Sequence, residues 1–341
     1  MSKEEIFDKT SSFAAYSLPG TTDHFLIQGP ITKGRPLSGS FFAMQSFNKS
    51  QNSCHYLLAE RIQKNQIFRF YLSDNSLRKS TSKTVYLDLA NRTIANIRNE
   101  MYDKVVISRV SVVDHEYTDF YEIFRDLKDR YPQAFVFLYH TPALGCWCGA
   151  SPEILLRKVD DRFLTMALAG TQIDQGIPLN QVQWGDKEIH EQAIIESFIT
   201  SIFHKNGIQY EKQGPVTMKA AHVLHILSEF YCEDHLDGLE IAELLHPGPA
   251  ICGIPEDLAF DWINQNESHD RQQYCGFIGP WGIDEEYALF VNLRSMRIFQ
   301  KTFHLYLGGG LTSDSQAELE WEETEQKAKT ILSVLNNTFA S

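Results

Sequence analysis

Hydrophobic and polar positions along this chain alternate between two periods, and the switching predicts its elements. Short alternating or β-branched runs, "DHFLIQG", "SGSFFAMQSF" and "FRFYLS", read as strands in the N-terminal third, and the polar stretch "DNSLRKSTSK" reads as an exposed loop. From Lys104 the pattern sharpens. "KVVISRVSVV" predicts a strand, "FYEIFRDLKDRYP" an amphipathic helix closed by Pro132, and "AFVFLYH" another strand. "CWCGASPEILLRKV" and "RFLTMALAGTQ" are two apolar runs joined by Asp160-Asp161-Arg162, the pattern of a hairpin. Helices are expected over Asp186 to Phe203, Leu239 to Leu245 and Glu256 to Asn264. "YALFVNLRSMRIFQKTFHLYLGGG" reads as a second hairpin, and an acidic helix closes the chain. Antiparallel hairpins separated by long helices predict α+β layers, not an alternating parallel sheet.

Composition narrows this picture. The 341 residues, 43% of them hydrophobic, can bury a large core, and no repeat or Pro/Gly-rich linker divides them, so one domain over 1–341 is expected. A formal charge of −13 excludes sequence-independent nucleic-acid binding, which needs a basic face. Any anionic ligand therefore needs a local cationic pocket or a metal. No apolar run approaches the roughly 18 residues of a membrane span, so no membrane partner is expected. The six cysteines lack CxxC or zinc spacing, and "MSKEEIFDKT" lacks the apolar core of a signal peptide; reduced thiols in the cytoplasm follow as the expectation. Cys146 and Cys148 read as core thiols.

The candidate chemistry begins at "HLYLGGGLTSDSQAELEWEETEQKAK". Three glycines suggest a flexible turn of the kind that cradles anions, set directly against carboxylates. At about 100° per residue, Glu320, Glu323 and Lys327 share one helical face. A solvated acidic face is the plain reading of such a run. Trp321, Ala328, Ile331, Leu332 and Leu335 nevertheless supply an apolar stripe, and carboxylates bordering a packed face are costly unless a cation meets them. In "GDKEIHEQAII", Glu188 and Glu191 repeat the spacing on another predicted helix. Four carboxylates from two helices suit Mg²⁺, which takes one or two protein carboxylates together with waters and ligand oxygens. The glycine N–H groups would then face an anion that the cation bridges to the glutamates.

In consistent order, "KVVISR", "GASPEILL", "ALAGT", "DKEIHEQ", "VLHILS", "LHPGPAICGIP", "DRQQYCGFIGPWG", "VNLRSM" and "GGGLTSDSQAELEWEETEQK" resemble the chorismate-utilising enzymes. That family includes isochorismate, salicylate, anthranilate and aminodeoxychorismate synthases. The resemblance assigns 96–341 to the catalytic core and leaves 1–95 as a divergent N-terminal part. It implies an α+β, single-domain chorismate-utilising fold of two stacked antiparallel β-sheets with helices packed outside, with chorismate as substrate. Lys104 stands where water-adding members carry lysine and ammonia-using members glutamine. Ala169 stands where aminodeoxychorismate synthases carry a nucleophilic lysine, and no glutaminase subunit is expected. "LHPGPAICGIP" is closer to the "HPTPA" loop of isochorismate synthases, with Gly248 replacing the threonine; Gln192 stands where many relatives have histidine.

What the resemblance implies is an isochorismate synthase, isomerising chorismate with Mg²⁺ at the entry to menaquinone or siderophore biosynthesis. Water adds at C2 while the C4 hydroxyl leaves, which requires a base and an acid. The resemblance makes Lys104 the base and Glu153 the acid. Desolvation supports both roles, because Lys104 opens an apolar strand and Glu153 lies between Pro152 and Ile154-Leu155. The ordinary alternatives are a strand-end lysine with its head in water and an exposed turn carboxylate. Arg294, breaking an apolar strand, would grip a substrate carboxylate or sit in a buried ion pair. Lys327 would hold the ring carboxylate beside the metal and Tyr274 would donate to the other carboxylate. Gly170, Thr171 and Gly310 would offer further donors. His225, on an apolar helix or strand, is either a ligand contact or a satisfied core histidine. Salicylate synthase, which also eliminates pyruvate, and a non-catalytic chorismate-binding module are the rival readings.

Overall fold

The computed structural model describes residues 5–49, 53–76, 78–117, 119–220, 223–233 and 235–336. Most strands belong to two nine-stranded sheets in which every pairing is antiparallel. Across the first sheet the order is Gly253–Ile254, Lys104–Asp114, Thr302–Leu311, Ser295–Ile298, Gly145–Ser151, Phe135–Thr141, Phe13–Ser17, Phe25–Gln28 and Arg61–Lys64. Across the second it is Tyr210–Ala220, Val223–Glu233, Arg162–Ile173, Ile154–Val159, Glu286–Val291, Phe277–Ile283, Phe41–Gln45, Cys54–Leu58 and Ile31–Thr32. Aromatic side chains stack the sheets on one another: the Phe135 and Phe290 rings lie 4.2 Å apart and parallel, and Tyr16 lies 5.8 Å from Phe42. The N-terminal segment supplies the last three strands of each sheet, so it extends the core instead of forming a separate layer.

Six α-helices surround the sheets among the described residues: α1 (Lys83–Arg98), α2 (Tyr121–Arg130), α3 (Asp186–Lys205), α4 (Gly238–Leu245), α5 (Glu256–Asn266) and α6 (Ala317–Asn336). On α2, Ile123, Phe124 and Leu127 join Ala328, Ile331 and Leu335 of α6 against the outer face of the first sheet. Cys146 and Cys148 are buried free thiols there, as expected. Helix α1 escaped the sequence reading. Ser82 caps it by accepting from Val85 N–H, and Tyr86, Leu89, Ala90, Ile94 and Ile97 form its buried stripe. A second difference is the parallel pair Glu5–Phe7 with Phe68–Phe70, which packs its phenylalanines on Phe13. "VLHILS" resolves as strand, within a long edge hairpin that the sequence reading left unassigned.

Two predicted runs need correction, and both corrections lead to the site. "CWCGASPEILLRKV" is two strands in different sheets: Ser151 pairs with Phe135 in the first, Ile154 with Phe290 in the second. Pro152, which has no N–H to donate to a ladder, marks the crossing. The tail behaves alike, with Val291 in the second sheet and Ser295 in the first, so the true hairpin is Ser295–Ile298 with Thr302–Leu311. The crossings are tied together: Ser151 Oγ donates to the Val291 carbonyl, and Val291 N–H donates to the Glu153 carbonyl at 3.0 Å. Glu153 and Arg294 therefore sit at neighbouring points where the chain leaves one sheet for the other.

Candidate active site

A cavity of about 240 Å³ opens beside these crossings. Glu153, Tyr274, Arg294, Gly310 and Lys327 line it, together with Val106, Pro152, Ala250, Ile251, Leu293 and Tyr306. Five residues predicted for the site, from five separate segments, thus share one wall system. Tyr274 stacks on Tyr306 with ring centres 5.5 Å apart, which gives a planar ligand an aromatic flank.

The three glycines are not a flexible turn. They end the strand Thr302–Leu311, in register with Val106, Ile107 and Ser108. At each, a Cβ would crowd another side chain, most closely at Gly308 and Gly310. A Cβ on Gly308 would lie 2.9 Å from the Tyr274 hydroxyl, on Gly309 3.3 Å from Glu320 Oε2, and on Gly310 2.8 Å from Lys104 Cε. The anion-donor role keeps a geometric basis. Val106 and Ser108 send their N–H groups away from this strand, to the Cys252 carbonyl and the Glu267 carboxylate. Facing residues of an antiparallel ladder either bond one another or both turn away, so Gly308 and Gly310 direct N–H and C=O to the side of the strand that Ser295–Ile298, paired with residues 303–305, does not cover. Lys327 uses that side, donating to the Gly308 carbonyl at 2.8 Å while pairing with Glu323 at 2.7 Å.

Lys104 leans over Gly310, and among the described residues its ammonium makes no hydrogen bond or ion pair. Burial pushes its pKa down, with the charge of Lys327 adding to the effect and Glu191 and Glu153 opposing it. Burial likewise pushes Glu153 up, against the opposing charge of Lys104. Each group acts on the other, so the two lie within electrostatic reach, and both are biased toward their uncharged forms.

Glu188 and Glu320 lie in the first turns of α3 and α6, and Glu191 and Glu323 one turn further on. Glu320 accepts from Ser315 Oγ at 2.7 Å; burial, reinforced by Glu323, raises its pKa, with Lys327 and Lys187 opposing. Lys187 at the start of α3 acts on Glu320 of α6, so those two helix starts lie within electrostatic reach of each other. Glu188 packs against Gly170, whose Cβ would lie 3.0 Å from that of Glu188, and Glu191 acts on Lys104. Among the described residues no three His, Cys, Asp or Glu side chains converge as a ready-made metal cage. Burial and Glu323 nonetheless both disfavour the charged form of half-buried Glu320, a cost that a cation would relieve, and hard oxygen donors suit Mg²⁺.

The remaining predictions divide. Gly170, at φ +63°, forms a bulge whose carbonyl is met by His225 Nδ1 at 2.9 Å, so His225 braces the backbone beside Glu188. The side chain of Thr171 lies outside the described residues. Arg294 is not in a strand; it occupies the crossing at φ +47°, is exposed at the cavity, and makes no ion pair among the described residues, which removes the buried-pair alternative. Sequence reasoning missed Arg109. Buried at 2% side-chain exposure, it donates to Thr324 Oγ1 at 2.7 Å, pairs with Glu325 and lies 4.0 Å over the Trp321 ring, anchoring α6. A lone arginine inside the apolar strand "KVVISRVSVV" was its signal.

The fold and this cavity define an enzyme of the chorismate-utilising class. A family model described as chorismate binding enzyme matches residues 42–336, and this chain belongs to that family. It is 26% identical over 264 residues to isochorismate synthase EntC of Escherichia coli (strain K12), covering 74% of this chain and 67% of that protein. Against isochorismate synthase MenF of Bacillus subtilis (strain 168) the identity is 28%, covering 74% and 56%. Against anthranilate synthase component 1 of Neisseria meningitidis serogroup C it is 26% over 222 residues, covering 62% and 45%. Among solved structures, the menaquinone-specific isochorismate synthase MenF from Escherichia coli matches with a TM-score of 0.81 at 19% identity, over 96% of this chain and 89% of that one. Anthranilate synthase component I from Streptococcus pneumoniae matches at 0.71 and 16%, over 94% and 90%.

Proposed function

We propose that this chain is a Mg²⁺-dependent isochorismate synthase that converts chorismate to isochorismate without a glutaminase partner. The carrying observation is that Glu153, pushed up, lines a small cavity, and that Lys104, pushed down and within its electrostatic reach, leans over Gly310 of the same lining. Neutral Lys104 takes a proton from the water that attacks C2, and protonated Glu153 gives its proton to the oxygen leaving C4; one water enters and one departs. Arg294 holds one substrate carboxylate, while Lys327, Tyr274 and the Gly310 N–H hold the other. Gly170 and Thr171 flank the ring from the second sheet, and His225 fixes that flank. Glu188, Glu191, Glu320 and Glu323 would hold Mg²⁺, which offsets the charge of the ring carboxylate when bound. Isochorismate synthases are among the similar proteins, and the lysine at 104 favours water over ammonia as nucleophile. No helix among the described residues is long and apolar enough to cross a membrane, and a cytoplasmic place at the entry to menaquinone or siderophore biosynthesis completes the reading.

The test is incubation with chorismate and Mg²⁺ followed by product identification. Isochorismate is the expected product. Salicylate with pyruvate would make the chain a salicylate synthase, and binding without turnover, unaltered by Lys104→Ala, would make it a binding module.

A further inference from the structure

Behind the cavity wall lies a buried ion pair that the mechanism does not use. Glu267 and Arg271 have side chains 1% and 2% exposed and are joined by two hydrogen bonds, Nε to Oε2 at 2.9 Å and Nη2 to Oε1 at 2.7 Å. Neither lines the cavity. Several of their other bonds go to backbone atoms of segments that do. Arg271 donates to the Ile251 carbonyl at 2.8 Å and to the Val106 carbonyl at 2.6 Å. Its own carbonyl accepts from Tyr274 N–H at 2.9 Å. Glu267 Oε1 accepts from Ser108 N–H at 2.6 Å and from its hydroxyl at 2.9 Å. The Phe47 ring closes the remaining side, 4.3 Å from the guanidinium carbon.

Stability alone is a poor reason for such a pair. Taking both charges out of water costs several kcal/mol per ion, and apolar side chains of similar volume commonly serve as well or better. Only a planar fork donates in fixed directions to two carbonyls and a carboxylate at once. We propose that Glu267 and Arg271 are positioning residues for the reaction read above: they hold Val106, Ile251 and Tyr274, from three separate segments, at the spacing that clasps the substrate ring. The inference rests on the isochorismate synthase reading. Ser108 and His269, 3.0 Å apart beside the pair, belong to the same brace; with Ser108 buried away from the cavity, they are no nucleophile and base.

The experiment compares Arg271→Lys, which keeps the charge but not the fork, and Glu267→Gln, which keeps the shape but not the charge, with the unaltered chain. kcat and KM for chorismate at saturating Mg²⁺ are measured well below each variant's own melting temperature. A misplacement of about 1 Å costs on the order of a hundredfold in rate. The expected result is a kcat lower by about tenfold to a hundredfold, with KM changed far less, in variants whose circular dichroism matches the original. A kcat within about twofold of the original in either folded variant overturns the proposal, whatever happens to its melting temperature. Failure of both variants to fold also overturns it, since the pair would then be needed for the fold alone. If the unaltered chain does not turn over chorismate, the functional reading fails, and this is distinct from a variant losing a rate that the original has.

Discussion

A buried amine and a buried carboxyl are expensive to keep without partners, and among the described residues neither the Lys104 ammonium nor the Glu153 carboxyl has a hydrogen bond or ion pair. Their uncharged bias has consequences for rate and stability. Glu153→Gln should lower kcat by about 10²- to 10⁴-fold, as loss of a general acid does. The same change should stabilise the fold at neutral and higher pH. With the folded-state pKa above the unfolded one, the unfolded chain releases its proton first, so stability falls as pH rises from the ordinary carboxyl value through the folded one. Calorimetry at about pH 8 should therefore show a higher melting temperature for Glu153→Gln, and at about pH 4 no gain. An unchanged value at the higher pH would contradict the burial argument. Gly310→Ala places a methyl 2.8 Å from Lys104 Cε, and the flexible lysine must give way. We predict a kcat loss of about tenfold or more with the melting temperature nearly kept, read from paired kinetics and thermal scans.

At the scale of elements, the site depends on how two helix starts are carried. Helix α3 meets the second sheet at Gly170, where a positive φ and the closeness of Glu188 both exclude a side chain. Gly170→Ala should cost about 1–3 kcal/mol in urea unfolding and raise the Mg²⁺ concentration needed for half-maximal rate. Helix α6 is carried by Arg109, so Arg109→Met should lower stability by about 1–3 kcal/mol and weaken the same Mg²⁺ response. Finding both variants with the original Mg²⁺ dependence would separate these glutamates from the metal. Most elements were legible because burial of one face imposes a period on the sequence: "KVVISRVSVV", "FYEIFRDLKDRYP" and the acidic helix each form where expected. The misreadings cluster at "SPE" and "NLR". There an apolar run continues without a break while the chain passes from one sheet to the other, and local periodicity carries no mark of which sheet a strand joins.

For the whole molecule, a charge of −13 makes any dianionic substrate unwelcome except where cations are concentrated. Chelation with EDTA should leave the circular dichroism unaltered, because two large antiparallel sheets hold the fold without metal, while turnover falls to background and returns on adding Mg²⁺. Undiminished turnover after chelation would remove Mg²⁺ from the reading. The residue types needed for this chemistry, their order and the periodicity of most strands and helices follow from the sequence alone, since side-chain chemistry and one-sided burial are local properties. Only the tertiary structure decided that Glu153, Arg294 and Lys327 converge on one cavity with Lys104 leaning over its Gly310, that the glycines lie against Tyr274, Glu320 and Lys104, and that Arg294 makes no ion pair among the described residues at its edge. Those outcomes depend on contacts between segments far apart in the chain, and such contacts leave no period behind them.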